Sequence, residues 1–437
     1  MSKIDAMIQE LCPDGVEYKP LWSVTIWDKN FQSVEKSKQS KIINYPYLLA
    51  SELFALEQEG GDVFLLSTGE KTGWTTEELA GKYLCSGEVV TIPWGKSRPV
   101  KEVIKYYKGK FVTADNRIAT SSDLSKLSNK FLYYWLVTQG EKIDAFYRGS
   151  GIKHPCMQEV LNLQIPVPPL EVQLEIVRVL DTFTELTTEL TTELTRRKRQ
   201  YEYYRDKLLS FDPGVAPLCP LKEISDILTG YPFDSSQFSR TGIRLLRGMN
   251  VKRGELNFSE ENNRYWSSDE GFDAYHLEED DVIIAMDGSL VGKSYGYVKK
   301  EHLPALLVQR VARIRANGVN PRFLYHCVSN NFTDYVERKK TGGAVPHITK
   351  KDIEEFQIPL PSLRTQERLV RVLDNFDAIC QDLEIGLPAE ISARKKQYEY
   401  YRDQLLNFAQ FGAINSLTHS LTHSLTHSLT HSLNDKR

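Results

Sequence analysis

The pattern of apolar positions divides the chain into segments of helical periodicity and segments of short β-type runs. After Pro169, apolar residues recur every three or four positions, at Ile176, Leu180, Phe183, Leu186, Leu190 and Leu194, and Tyr201, Tyr204 and Leu208 extend this stripe. Such spacing places apolar side chains on one face of a helix. A helix from about Glu171 to Leu209 would be roughly 55–60 Å long at 1.5 Å per residue. A helix of this length needs a partner that covers its apolar stripe.

The same helical segment occurs a second time. Residues 200–206 and 397–403 share the sequence Gln-Tyr-Glu-Tyr-Tyr-Arg-Asp, and residues 164–168 and 177–181 match 357–361 and 370–374 closely. A period this long indicates a duplicated half and not a solenoid repeat. The second copy is the obvious partner for the first helix, although two ordinary amphipathic helices in separate domains are the alternative. The residues expected in the contact between paired helices are Leu186, Leu190, Leu194, Tyr201, Tyr204, Tyr398 and Tyr401.

One block of the first helix is repetitive. From Thr184 to Thr195 the sequence Thr-Glu-Leu-Thr occurs three times in succession. Threonine is only a moderate helix former, so helix propensity does not explain the block. One four-residue unit adds about one turn, roughly 6 Å, and nearly keeps the phase of the stripe. The second copy is four residues longer, and its insertion contains Gly386-Leu387-Pro388, which predicts a kink or break in the second helix.

The segments outside the repeats predict α+β domains. In residues 15–165, β-type runs at 63–66, 88–93 and 110–113 precede a helical stretch near 130–139. Residues 213–358 form a second segment, which begins after a Pro-Leu pair that matches Pro20-Leu21. The N-terminal residues 11–21 parallel the exit from the first helix, so the start of the chain resembles the end of a helical repeat.

Composition is that of an ordinary globular protein of 437 residues, with 41% hydrophobic and 26% charged residues. No apolar run of 18 residues and no signal-peptide core are visible, so no membrane association is expected. The six cysteines are far apart and are expected to be reduced thiols, which favours a cytoplasmic location. The net charge of −3 does not indicate nucleic-acid binding, so any basic surface must be local.

Two local basic stretches are candidates for such a surface. Residues 95–117 hold seven basic and two acidic residues interleaved with aromatics, which is typical of nucleic-acid surfaces, although a solvated face over core aromatics is the alternative. Residues 239–253 hold five basic residues and no acid, whereas residues 255–281 hold ten acids and one arginine. The basic side of this second segment is suited to phosphate. Asn250 and Gln309 are weaker candidates, because amide side chains read adenine edges.

Familiar catalytic motifs are missing from the sequence. Gly288 to Ser294 resembles a phosphate-binding loop, but three residues separate its glycines where four are needed. Asn320-Pro321-Arg322-Phe323 is similar to an amino-methyltransferase motif, but arginine replaces its second proline and no glycine-rich cofactor motif accompanies it. Four histidines spaced four apart, from His419 to His431, lie in a Ser-Leu-Thr-His repeat that is more typical of an unstructured tail than of a metal site. We therefore expect no catalytic site and no metal site in this chain.

These features together resemble the specificity subunit of type I restriction-modification systems. The order of variable segment, helical repeat, variable segment and helical repeat covers nearly the whole chain. Each variable segment ends in a similar run, at 149–154 with 165–173 and at 342–347 with 358–366, close to the family pattern Pro-Leu-Pro-Pro-Leu-x-x-Gln. The Thr-Glu-Leu-Thr block is similar to a spacer repeat of this family, and Pro232-Phe233 with Leu245–Gly248 is familiar from its recognition domains.

The resemblance implies an α+β fold with two mixed α/β target recognition domains. These would be joined by two long helices that form an antiparallel coiled coil with pseudo-twofold symmetry. The implied division of the chain is an N-terminal segment that completes the helical repeat (1–14), target recognition domain 1 (15–165), a central helical spacer (166–212), target recognition domain 2 (213–358), a distal helical spacer (359–412) and a low-complexity tail (413–437).

The resemblance also implies partners. Each recognition domain would read one half of a split site in double-stranded DNA, and the helices would dock two modification (methyltransferase) subunits. Methyl transfer from S-adenosylmethionine would belong to those subunits, and translocation and cleavage driven by ATP and Mg would belong to restriction (motor and nuclease) subunits. This chain would bind no cofactor. The candidate DNA-contacting residues are Lys96, Arg98, Arg117, Arg148, Lys153, Arg244, Arg247, Asn250, Lys252, Arg253, Lys293 and His347.

Two other interpretations remain open at this stage. The chain could be a stand-alone DNA methyltransferase or nuclease, and tight binding of S-adenosylmethionine without a partner would favour this interpretation. It could also be a coiled-coil scaffold without DNA specificity, and failure to bind duplex DNA at low salt even with partners would favour that one.

Overall fold

The computed structural model of the chain describes residues 3–95, 98–212, 214–268, 270–339, 347–381 and 386–408. The chain folds into two compact units. The first unit comprises Met1–Glu189 with Ser392–Arg437, and the second unit comprises Leu190–Ile391. Within the described residues, no helix is long and apolar enough to cross a membrane.

The first half of the chain alternates short helices with strands. Its helices are α1 (Lys3–Leu11), α2 (Leu21–Val24), α3 (Ala50–Ala55), α4 (Glu77–Ala80), α5 (Asn129–Thr138), α6 (Gly140–Asp144), α7 (Met157–Leu161) and α8 (Leu170–Leu208). Its strands are β1 (Tyr18–Pro20), β2 (Thr25–Trp27), β3 (Val63–Leu66), β4 (Gly73–Thr75), β5 (Cys85–Pro93), β6 (Lys105–Thr113), β7 (Asn116–Ser121), β8 (Tyr147–Arg148), β9 (His154–Pro155) and β10 (Gln164–Pro166).

Residues 15–165 form what we call the first sheet domain. Its six-stranded sheet has the order β2-β7-β5-β6-β3-β4, in which β3 and β6 run parallel and the other neighbours are antiparallel. The apolar runs predicted to be strands lie in β3, β5 and β6, and the predicted helix near 130–139 is α5. Phe131, Leu132 and Leu136 of α5 are fully buried in the core, where they pack with the sheet.

Three of the described helices in the second half of the chain have 19 residues each. Its helices are α9 (Leu221–Ile224), α10 (Pro321–Lys339), α11 (Lys350–Glu354), α12 (Leu363–Gln381) and α13 (Leu387–Leu405). Its strands are β11 (Leu218–Pro220), β12 (Ser225–Thr229), β13 (Ile243–Leu246), β14 (Tyr265–Trp266), β15 (Val282–Ala285), β16 (Tyr295–Tyr297), β17 (Ala305–Leu307), β18 (Val311–Ala316) and β19 (Gln357–Pro359).

Residues 213–358 form the second sheet domain, and its sheets differ from those of the first. A four-stranded sheet has the order β12-β18-β15-β16, and a three-stranded sheet has the order β14-β13-β17. Strand β15 is buried at every position, because alternate side chains pack into two different cores, Val282 and Ile284 in one and Ile283 and Ala285 in the other. The expected combination of two mixed α and β domains with a long helix is therefore confirmed.

Helix α8 was predicted from about residue 171 to 209 and spans Leu170–Leu208. Its threonines are accommodated by hydrogen bonds within the helix. The hydroxyls of Thr184, Thr187, Thr188 and Thr195 donate to carbonyl oxygens four residues earlier, over 3.1, 2.8, 2.8 and 2.9 Å. These bonds satisfy the polar groups of a residue type that otherwise competes with helical structure. The predicted interruption of the second helix is found at Gly386, a bend directly before α13, which begins at Leu387; residues 382–385 lie outside the described residues.

The same short β-pair closes each sheet domain. In the first unit β1 pairs with β10, and in the second unit β11 pairs with β19 in the same antiparallel register. The helix that follows each first strand begins with a buried leucine, whose N–H donates to a backbone oxygen just before the second strand. These bonds are Leu21 to Leu163 and Leu221 to Phe356, both 2.9 Å. The duplication seen in the sequence is therefore also a duplication of backbone geometry.

Candidate nucleic-acid interface

A buried glutamine fixes each sheet domain to its helical repeat. In the first unit, Gln173 of α8 accepts a hydrogen bond from the N–H of Ser128 at the start of α5 (2.9 Å) and donates to the carbonyl oxygens of Lys126 and Pro168 (both 2.7 Å). In the second unit, Gln366 of α12 accepts from the N–H of Asn320 and donates to the carbonyl of Pro361, both at 2.8 Å. This is the glutamine of the Pro-x-Leu-x-x-Gln run that ends both copies, and its hydrogen bonds join the domain to the helix.

A second contact between the long helix and the sheet domain occurs in both units, two turns further along each helix. The residues that make it differ between the units. Asp181 accepts hydrogen bonds from the Lys130 ammonium (2.7 Å) and the Tyr134 hydroxyl (2.6 Å). The corresponding Asp374 accepts from Arg322 Nε (2.7 Å) and contacts His326 Nε2 (2.8 Å). Burial by itself raises the pKa of Asp374, but the bonds from His326 and Arg322 outweigh it and hold that pKa below its usual range.

Asn320-Pro321-Arg322-Phe323, the motif similar to that of methyltransferases, has a structural role here. The Asn320 side chain accepts from the N–H of Phe323 at 3.0 Å and caps α10. The following turn supplies Arg322 to Asp374. Its residues are therefore used in starting a helix and docking it.

Aromatic contacts join the two repeats within each unit. In the first unit the rings of Phe183 (α8) and Tyr401 (α13) are stacked with centroids 5.6 Å apart. In the second unit Phe376 of α12 stacks on Tyr201 and Tyr204 of α8, at 5.9 and 6.3 Å. Tyr398 also packs on the first unit's core and Leu194 on that of the second, and both are partly buried. Leu186 and Leu190 are partly buried as well.

The candidate cations of the first sheet domain are in different states. Arg98 and Arg148 are exposed but ion-paired, with Glu70 and Glu159, each at 2.8 Å. Lys153 is exposed. Lys96 lies outside the described residues. Exposed side chains with one weak surface partner can exchange that partner for phosphate.

Arg117 is buried and belongs to a stack of three side chains. Its guanidinium lies 3.7 Å from the centroid of the Trp94 ring and bonds Asp115 Oδ1 at 2.9 Å. The ring of His154 is stacked on Trp94 at 4.2 Å. With 6% of its surface exposed, Arg117 is held against Trp94 and Asp115 and presents little of its guanidinium to solvent.

Three of the candidates in the second sheet domain are used by the fold itself. Arg244 donates to the carbonyls of Glu301 and Leu303, both at 3.0 Å, and Arg247 donates to that of Asn262 at 2.6 Å. Asn250 is fully buried, accepts from the N–H of Arg247 (3.1 Å) and donates to the carbonyl of Asn257 (2.9 Å). The expectation that Asn250 reads a base is corrected, because its amide is consumed in closing this turn.

The other candidates of this domain are on its surface. Lys252, Arg253, Lys293 and His347 are exposed. Lys293 lies in the turns of Gly288 to Ser294, the segment that resembled a phosphate-binding loop, and no helix begins there. Without a helix N-terminus the segment lacks the array of N–H groups that such a loop directs at phosphate.

A cavity of about 640 Å³ in this domain brings together polar residues that the sequence analysis had largely missed. It is lined by Thr229, Gly230, Pro232, Met286, Asp287, Gln309, Arg310, His347 and Ile348. Asp287 and Arg310 form an ion pair at its edge, with an Nη1–Oδ2 distance of 2.8 Å. These residues come from four separate parts of the chain, so no local pattern could have joined them.

A group of possible metal ligands lies at the docking helix of the second unit. One ligand atom each from His326, Asp374 and Asp377 lies within 4.8 Å of the others. Arg322 forms ion pairs with both carboxylates, at 2.7 and 3.4 Å. The guanidinium compensates the charge of the two carboxylates, so these residues form an ion-pair network.

Comparison with known proteins gives a consistent picture. The profile of the family described as "Type I restriction modification DNA specificity domain" matches residues 31–197 and 220–393. The type I restriction enzyme EcoR124I/EcoR124II specificity subunit of Escherichia coli is 29% identical over 433 residues, which cover 93% of this chain and 98% of that protein. The type I restriction enzyme MjaVIII specificity subunit of Methanocaldococcus jannaschii is 24% identical over 67% of this chain and 74% of its own length.

Among solved structures, the crystal structure of a type I restriction-modification system S subunit from M. genitalium is similar to this fold. It aligns with a TM-score of 0.57 at 17% sequence identity, over 90% of this chain and 96% of that one. At this identity the likeness is one of fold, and it extends over both sheet domains and the helices.

Proposed function

The chain belongs to the type I restriction-modification DNA specificity family, and from this premise we propose that each sheet domain is a target recognition domain that reads one half of a bipartite DNA site. The observation that carries the proposal is the repeated glutamine contact. Gln173 and Gln366 fix two unlike domains to two like helical repeats. A protein that must present two different readers in the same way needs such a shared attachment.

We further propose that the two helical repeats pair as an antiparallel coiled coil that sets the gap between the half-sites. Contacts inside the second unit support this direction. Tyr201 of α8 stacks on Phe376 of α12, and the charges of Lys198 and Arg197, which precede Tyr201, act on Cys380, which follows Phe376. Sequence numbers that rise on one helix and fall on the other are those of antiparallel neighbours.

The proposal assigns the chemistry to partners. Two modification subunits dock on the helices and transfer methyl groups from S-adenosylmethionine, and restriction subunits supply the reactions that depend on ATP and Mg. This chain contributes sequence recognition in double-stranded DNA. The exposed cations Arg98, Arg148, Lys153, Lys252, Arg253, Lys293 and His347, when protonated, are proposed to contact DNA, mostly at phosphate.

The test is to change the number of Thr-Glu-Leu-Thr units in α8. One unit is about 6 Å of helix, and one base pair occupies about 3.4 Å. Removing or adding a unit is therefore expected to change the unread gap by one or two base pairs and to leave both half-sites unchanged. Methylated-base sequencing of DNA from cells that express each variant with its cognate modification subunit measures both.

A matched control replaces one unit by Ala-Glu-Leu-Ala, which keeps the helix length. This variant is expected to keep the original gap. A continuous methylation motif in the wild type would contradict the two-reader proposal, and altered half-site bases in the length variants would contradict the spacer role.

A further inference from the structure

The Asp287–Arg310 pair has the properties of a base-reading site. Arg310 follows Gln309 in the tight link between β17 and β18, and its φ of +65° is in the left-handed region, which is unfavourable for a residue with a side chain. The link approaches the chain at Gly230 so closely that a Cβ there would lie 2.2 Å from the oxygen of Val308. Such conformations are concentrated at functional sites, where the surrounding structure holds them.

Backbone hydrogen bonds fix the position of the pair. The N–H of Met286, beside Asp287, donates to the carbonyl of Arg310 at 2.9 Å, and the N–H of Ile348 donates to the carbonyl of Met286 at 2.9 Å. The N–H of Gln309 donates to Tyr231 at 2.8 Å. These three backbone hydrogen bonds hold the segments that bear Asp287 and Arg310. The two side chains therefore have the precise positions that base readout needs.

The guanidinium of Arg310 is oriented by Asp287, and most of its N–H donors are not used in that contact. Its side chain is 69% exposed, and Asp287 accepts from only one of its nitrogens. Among the described residues, no other hydrogen bond from this guanidinium is found. Arginine carries five N–H donors in a rigid fork, so the opposite edge remains available for two parallel bonds. That geometry matches the O6 and N7 acceptors of guanine in the major groove.

The first sheet domain has different chemistry in the corresponding loop. There Trp94 follows the central strand and is covered on its two faces by Arg117 and His154. In both domains this place lies between a sheet strand, β5 or β15, and the segment that begins with His154 or His347. The residues found there differ between the two domains. A position that changes from an aromatic stack to an ion pair is suited to reading different targets.

We propose that Arg310, oriented by Asp287, reads a guanine in the half-site bound by the second sheet domain. The proposal rests on the recognition function proposed above. It adds to that function a residue and a base, neither of which follows from the count of basic residues in the sequence.

The experiment is methylated-base sequencing in cells that express the cognate modification subunit with the wild type, Arg310→Ala, Arg310→Lys, Asp287→Asn or the control Lys222→Ala. Lys222 is an exposed cation of the same unit on α9. In Arg310→Ala, one guanine position of one half-site is expected to become degenerate, with its preference reduced about tenfold or more. The other half-site and the gap are expected to stay unchanged. Arg310→Lys and Asp287→Asn keep the size of the side chains and are expected to give partial degeneracy at the same position.

The control is expected to keep the complete motif. A uniform loss of methylation by Arg310→Ala and Arg310→Lys with the motif unchanged would overturn the proposal, because it is the behaviour of a phosphate contact. An unchanged motif at full methylation in all variants would overturn it as well. The absence of a split motif in the wild type would instead contradict the recognition function itself, so the two failures are distinguishable. If the Arg310→Ala variant does not assemble with the modification subunit, the motifs measured for Arg310→Lys and Asp287→Asn decide whether the proposal holds.

Discussion

Gln173 in the first unit and Gln366 in the second make the same kind of contact, but the sheets that they hold are unlike. Each glutamine accepts from the first N–H of a docked helix and donates to the proline-rich entry of its own helix. One attached domain has a single six-stranded sheet, and the other has sheets of four and three strands. The attachment is common to both units, and the attached surface is not.

The difference teaches where sequence change is tolerated. Positions that touch the helices keep their function even where the residue changes, as when Lys130 and Tyr134 give way to Arg322 and His326 around the matching aspartates. The sheets share the antiparallel order β2-β7-β5-β6 and β12-β18-β15-β16, but the strands added to this order and the residues in the following loops differ. Duplicated helical repeats that hold divergent sheet domains allow one recognition domain to change its target while the other keeps its own.

The prediction with the largest expected effect asks whether the aromatic contacts contribute equally to the stability of the two units. Phe183 is 1% exposed, whereas Phe376, at the corresponding position, is only partly buried. Phe183→Ala is expected to destabilise the first unit by about 3–5 kcal/mol, because it leaves a cavity in a closed core. Phe376→Ala is expected to destabilise the second unit by about half of that, because its site is already open to water.

Hydrogen exchange followed separately at β5 and β15 measures each unit without assuming that they unfold together. Phe183→Leu and Phe376→Leu are the matched conservative variants. Equal losses of protection for the two alanine variants would show that the exposure of the two rings does not control their contribution.

A second prediction uses Asp28, a carboxyl group directly after strand β2, at a position where the second sheet domain has an apolar residue. Asp28 lies seven residues after Leu21, and Leu228 lies seven residues after Leu221. Burial raises the pKa of Asp28 to about 6, and this effect is larger than the opposing ones of its hydrogen bond from Ile118 and of the charges of Lys29 and Arg117. The folded state therefore favours the protonated carboxyl group.

Because the folded pKa lies above the unfolded value of 3.8, the stability due to this group is complete below about pH 4 and is lost as pH rises through about 6. The loss amounts to about 3 kcal/mol at 1.36 kcal/mol per pKa unit. Asp28→Asn is expected to make the first unit more stable than the wild type at pH 7 by up to this amount, with no difference near pH 4. Urea unfolding at the two pH values, with β15 protection as the internal control, checks this. A pH-independent difference would contradict it.

The helical periodicity and the duplication in the sequence were enough to predict the helical repeats. The stripe from Ile176 to Leu208 predicted α8 to within one residue at each end, and the Gly386–Pro388 insertion predicted the interruption before α13. These predictions succeed because a helix of many turns repeats its signal. The role of Gln173 and Gln366 was not predicted, although both were visible in the repeated run.

The candidate site was less predictable, for a physical reason. Counting basic residues assumes that a cation is free for a ligand, but Arg244 and Arg247 donate to backbone carbonyls that are distant in sequence or in loops. Asn250 is consumed in the same way. Conversely, Arg310 was overlooked because its importance comes from Asp287, which is 23 residues away and meets it only in the folded chain.

The smallest expected effect on stability concerns a feature that the two units share on their surface. Tyr203 of the second unit and Tyr400 of the first hold the same place in the identical heptapeptide and are 61% and 48% exposed. Folding does not require identity at exposed positions, so a common partner is the better explanation. Tyr203→Ala and Tyr400→Ala are each expected to change the free energy of unfolding by less than about 0.5 kcal/mol.

If two modification subunits dock on the helices as proposed, each single variant is expected to weaken binding of one of them, and the double variant to weaken both. Native mass spectrometry of the assembled complex counts the bound subunits. Arg199→Ala and Lys396→Ala form a matched control pair, since these exposed residues immediately precede the heptapeptide and differ between the copies. If both tyrosine variants retain two subunits at the affinity of the controls, the identity of the heptapeptides arises from recent duplication, and the partners bind elsewhere on the helices.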